Sequence, residues 1–277
     1  MNGPGAPRQT ARILDALAAL GDRYVDEFLR PHWDVDRLRT DWYYAFKFLL
    51  SRLYFQGRRD EVSEQFYNAM AACLDAVFDT DPDSVLNDLW RYGELPQDAE
   101  WTGFEAARSR LWRAFNADMG KRRDREMVLD TLRYVHGLTE HNVVRHSLES
   151  IDAGIVVQHR AEISALWGAG PKTSAFYLRD VVFLTGRRLD ASDLLALQPI
   201  DTWVDQVRLL VDPSAPAGYD AAAQWFVRHA ETGYDPAKLN AGAWYLGKHA
   251  FRLCLALLST TDISKEDLLR LPVWGDR

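Results

Sequence analysis

Cysteine is nearly absent from this 277-residue chain: Cys73 and Cys254 are the only two, far apart and without CxxC spacing. That excludes a four-cysteine zinc site or iron–sulfur cluster made by this chain alone, and it points to a reducing compartment. Long apolar runs are missing as well. No stretch approaches the roughly 18 apolar residues of a membrane span, and the Gly/Pro-rich residues 1–7 lack the apolar core of a signal peptide. The expectation is a cytoplasmic protein with no membrane partner and with disorder over residues 1–10. There is no 20–50-residue repeat, no low-complexity tract and no strand-like alternation. Residues 155–158 alone show β-propensity, and they are too few to found a sheet. Excess positive charge is also lacking. The balance of 33 basic and 40 acidic residues gives −7, which is adverse for nucleic-acid binding, because non-specific affinity rests on clustered Lys and Arg. Locally the balance reverses. Residues 105–125 hold Arg108, Arg110, Arg113, Lys121, Arg122, Arg123 and Arg125 against three acidic residues, a pattern equally suited to a solvated helix face.

What is present is apolar periodicity near 3.6, in a chain that is 47% hydrophobic. Helices are predicted over residues 11–29, 42–55, 61–78, 84–90, 104–119, 125–137 and 142–151, within a hairpin unit over 161–183, after Asp201, and over 221–229 and 241–258. Pro31 ends the first, and Asp41 is placed to cap the second. The fold class is therefore all-α.

The most distinctive stretch is Leu166-Trp167-Gly168-Ala169-Gly170-Pro171-Lys172-Thr173-Ser174. Two glycines one residue apart permit a tight turn with positive φ, and helix-compatible residues resume after Pro171. Such a turn presents backbone N–H groups at a helix N-terminus, where an anion is favoured. Downstream comes Pro199-Ile200-Asp201-Thr202-Trp203-Val204.

In this order the two stretches resemble the helix-hairpin-helix DNA glycosylase superfamily, which includes endonuclease III and the 8-oxoguanine glycosylases. There a Leu-Pro-Gly-Val-Gly-x-Lys-Thr-Ala hairpin precedes a segment ending in Val-Asp-Thr-His. The textual likeness covers residues 163–207. The resemblance implies a single glycosylase unit over residues 1–277, with two helical lobes, a cleft between them and residues 161–183 as the hairpin element. It implies Lys172 as nucleophile and Asp201 as catalytic carboxylate, with Gly168, Gly170 and Thr173 on a DNA phosphate. The partner would be double-stranded DNA with an extruded base, the protein a monomer, and no cofactor is implied. The chemistry suits both residues: a carboxylate stabilises oxocarbenium character at C1′, and an amine that has shed its proton can attack there to form a Schiff base. Taken singly, Lys172 could be a solvated hairpin lysine and Asp201 a helix cap.

Departures from the family pattern bear on the substrate. Lys172 and Asp201 stand 29 positions apart, a longer gap than in endonuclease III, and Trp203 replaces the familiar histidine. These features look most like the archaeal-type 8-oxoguanine glycosylases, so 8-oxoguanine is the expected base and another modified base the alternative. A non-catalytic nucleic-acid-binding protein is the reading from another class. Gln56, Trp90, Asn240 and Trp244 are candidates for a base pocket, by hydrogen bonding or stacking. A polar helix end for Gln56 and an ordinary core position for Trp244 stay open. His136, His141 and His146 recur every five residues, which does not align them on one helical face, so no metal site is expected.

Overall fold

The computed structural model describes residues 6–56, 60–78, 81–90 and 122–258. Most of the basic stretch 105–125 and the helix expected over 104–119 lie outside the described residues. All regular structure among the described residues is helical. In chain order the helices are α1 (Ala6–Tyr24), α2 (Val35–Thr40), α3 (Trp42–Leu53), α4 (Asp60–Phe78), α5 (Pro82–Trp90), α6 (Arg122–His136), α7 (Val143–Asp152), α8 (Val156–Ser164), α9 (Pro171–Thr185), α10 (Thr202–Val211), α11 (Tyr219–Val227) and α12 (Pro236–Leu258). No helix among the described residues is long and apolar enough to cross a membrane.

The chain forms two compact units, residues 35–177 and residues 1–34 with 178–277, and the second boundary falls inside α9. Unit 35–177 is built on α3. Ten of its twelve residues are buried, as expected of a helix apolar on nearly every face. Asp41 caps it as expected, its carboxylate accepting from Tyr44 N at 2.9 Å. Asn142 does the same for α7, accepting from Arg145 N at 2.9 Å.

The β-propensity at 155–158 is overridden. Val156 begins α8, and a helical register buries Val156, His159 and Ile163 on one face while Ile155 and Val157 stay exposed. Burial of a spaced apolar face outweighs the small intrinsic preference of β-branched residues.

In the other unit, α1 lies along α12 at glycine contacts. A Cβ on Gly242 would sit 1.8 Å from the Leu17 carbonyl oxygen, and one on Gly21 would sit 2.2 Å from that of Lys238. The helix expected over 11–29 is α1 followed by a π turn, Val25–Leu29, with Arg30 N donating to Val25 O at 3.0 Å.

Candidate functional site

In unit 35–177, α8 and α9 flank residues 165–170, so helix, hairpin and helix follow one another as the glycine spacing predicted. Only one glycine uses its freedom. Gly168 has φ +77°, and a Cβ there would also meet the Gln56 amide and Met127 sulfur, each at 3.3 Å. Gly170 is outside the positive-φ region and has open space around it, so of the two glycines only Gly168 supplies the positive φ of the turn. Short-range bonds close the hairpin. Gly170 N donates to Thr173 Oγ1 at 3.1 Å, and Ser174 Oγ donates to Gly170 O at 2.9 Å. Thr173 is buried, so this hydroxyl and this amide, both expected on a phosphate, serve the turn itself. One bond ties the hairpin to α6: Trp167 N donates to Asp130 Oδ2 at 2.7 Å. Lys172 is half-buried in the first turn of α9.

Gln56 belongs to the same unit, just past the end of α3. It stands beside the hairpin, with its Nε2 donating to Met127 Sδ at 3.0 Å. Trp90 is the last residue of α5, and its side chain lies outside the described residues.

Asp201 belongs to the other unit and sits at the N-terminus of α10. Its Oδ1 accepts from Val204 N at 2.9 Å, the capping role weighed above, at a helix end that favours negative charge. The segment leading to it is held from two directions. Tyr219 OH donates to Gln198 O at 2.8 Å, and Asn240 Nδ2 donates to Pro199 O at 3.2 Å.

Asn240 is fully buried. Its oxygen accepts from Arg179 NH1 at 3.0 Å, so both ends of its amide are committed inside the unit. It supports the Pro199–Asp201 segment instead of facing a base. Behind it lies an ionic core that composition and spacing gave no reason to expect. Arg179 donates twice to Asp180 Oδ1, each at 3.2 Å, and Tyr24 OH donates to Asp180 Oδ2 at 2.8 Å. Asp180 is 0% exposed and Arg179 2%. Burial works against the guanidinium charge, but Asp180 and Tyr24 outweigh it and hold Arg179 above its ordinary range. A pair so deep in the core is tolerable because its polar atoms are shared among three partners. Trp244 is partly exposed, meets Tyr24 and Phe28 edge-on at 5.5 and 5.7 Å, and carries Lys248 Nζ 5.1 Å above its ring.

The histidines regroup. His136 and His141 stack at 5.4 Å, whereas His146 meets His159 edge-on at 4.8 Å. Burial, reinforced by His146, pushes His159 down to about 4. His159 drew no notice in the sequence because His146, Ser147 and Tyr134 reach it from other helices.

No protein-family model, no curated protein and no solved structure matches the chain.

Proposed function

We propose that the chain is a helix-hairpin-helix DNA glycosylase that removes a modified base, 8-oxoguanine first among the candidates, with Lys172 as nucleophile and Asp201 as the assisting carboxylate. One observation carries the reading: the hairpin and the Pro199–Asp201 segment occur in the family's order, and both are held in defined conformations. Lys172 stands in the first turn of a helix behind a left-handed glycine. Asp201 is fixed at a helix N-terminus, backed by Asn240.

Lys172 Nζ attacks C1′ of the deoxyribose. The N-glycosidic bond breaks, the base leaves with the bonding electrons and takes up a proton, and the Asp201 carboxylate offsets positive charge developing on the sugar. The C1′–N adduct opens to a Schiff base, which permits elimination of the 3′ phosphate. The N-terminal end of α9, where the helix dipole favours negative charge, suits a DNA phosphate.

Base release from a duplex carrying 8-oxoguanine, measured against a panel of other modified bases, tests the activity. Release from one of them, reduced about 100-fold or more by Asp201→Asn, is expected. Full release by Asp201→Asn contradicts the carboxylate's role. The cap made by Asp201 favours a second reading, in which the chain binds nucleic acid without chemistry. That reading predicts salt-sensitive binding and no base release from any member of the panel.

A further inference from the structure

A separate constellation lies on α7 and α8. His146 from α7 and His159 and Glu162 from α8 bring one ring nitrogen each and a carboxylate oxygen within 4.8 Å of one another. His159 Nδ1 is 3.4 Å from Glu162 Oε2, and His146 Nε2 is 3.6 Å from the same oxygen. Hydrogen bonds between nitrogen and oxygen run about 2.7–3.2 Å. Donor atoms set tetrahedrally at about 2.0–2.1 Å around a zinc ion lie about 3.4 Å apart, close to the two nitrogen–oxygen spacings found here, and the two ring nitrogens lie within 4.8 Å of each other.

The protons can be assigned from the surrounding partners. Ser147 Oγ donates to Val143 O at 2.7 Å, which uses its single proton. Its two lone pairs must therefore accept, one from His159 Nε2 at 2.8 Å and one from Tyr177 OH at 3.0 Å. His159 thus carries its hydrogen on Nε2 and turns a bare lone pair at Nδ1 toward the Glu162 carboxylate. Two acceptors facing each other repel unless a cation stands between them. Tyr134 OH, at 3.5 Å from Nδ1, is too far for a good bond. His159 is 1% exposed at its side chain, against 33% for His146 and 39% for Glu162. The cluster has a dry, fixed anchor and a mouth open to water.

We propose that His146 Nε2, His159 Nδ1 and Glu162 Oε2 bind a divalent d-block cation, zinc by ligand type, with the fourth position taken by water. Two imidazoles and a carboxylate suit zinc and disfavour magnesium, which prefers an all-oxygen octahedron. Ser147 sets the tautomer and orientation of His159, as outer partners of metal-bound histidines do. The cation joins α7 to the helix that leads into the hairpin, and it acts as a clamp on that helix. The site stands on these residues alone and does not depend on the glycosylase reading.

The test is calorimetric titration of the full chain, stripped with EDTA, using zinc chloride and in parallel magnesium chloride, with melting followed by circular dichroism. One zinc per chain, a raised Tm and no response to magnesium are expected. His146→Asn and Glu162→Gln, both at partly exposed side chains, should not lower the metal-free Tm. Each should lose zinc affinity by more than the about 10–100-fold that removing an outer partner costs. Cobalt titration gives a second readout that needs no variant: absorption bands of a tetrahedral ion are expected. No zinc binding, zinc binding unchanged in both variants, or cobalt bound without those bands overturns the site.

Discussion

The two residues proposed to do chemistry are held in contrasting ways. Lys172 stands in a turn closed by bonds between near neighbours: Gly170 to Thr173, Ser174 to Gly170, and a left-handed Gly168. Asp201 stands at the end of a segment positioned from far along the chain, through Asn240, Arg179, Asp180 and Tyr24. The first arrangement is a sequence motif in the literal sense, since the residues that make the turn are the residues that spell it. The second is a buried polar network whose members come from three separate stretches. The local device fixes backbone conformation, and the distributed device fixes the position of a whole segment. They should fail differently when broken.

The largest effect is expected in the network. Asp180→Ala strands the Arg179 charge in a site where it is 2% exposed, and loss of one partner of a buried pair costs about 3–5 kcal/mol. Urea unfolding measures this, and a loss under about 1 kcal/mol would mean that the network is not what holds the segment. An intermediate effect is expected in the hairpin. Gly168→Ala forces a side chain into left-handed backbone and toward Gln56 and Met127, at a cost of about 1–2 kcal/mol. The same change at Gly170, which has open space and no positive φ, should stay within about 0.5 kcal/mol. Equal losses at the two glycines would break the account of the turn.

The smallest effect concerns Asp212, at the end of α10. Bonds from Ser214, then from Arg228 and Trp225, hold its carboxyl down to about 2. A depressed carboxyl stabilises the fold above the ordinary carboxylate range, and that contribution is lost as pH falls through about 2. Because Arg228 is half-exposed, Asp212→Asn should cost less than about 1 kcal/mol at neutral pH. The difference from wild type should vanish near pH 2, as read from unfolding curves across pH. A difference that persists there would place the effect elsewhere.

This contrast also explains what the sequence made legible. The all-helical class, the Asp41 cap and the helix–hairpin–helix order follow from periodicity and glycine spacing, which act over a few residues. The basic stretch near 105–125 lies mostly outside the described residues. Val35–Thr40 escaped notice because six residues give too little periodicity. The start of α12 at Pro236, five residues ahead of expectation, follows the preference for proline in a first helical turn. Asn240 stood out in the sequence as a base-pocket candidate, but its partners at Arg179 and Pro199 did not, because only the fold brings them together. The same limit hid His159, whose spacing from His146 means nothing until α7 and α8 are side by side.

The central claim is that Lys172 is a nucleophile toward C1′, and borohydride trapping tests it most directly. The wild-type chain, incubated with a duplex carrying 8-oxoguanine and reduced with borohydride, is predicted to give a covalent protein–DNA adduct that disappears with Lys172→Gln. No adduct with the wild type, or an undiminished one with Lys172→Gln, would contradict it.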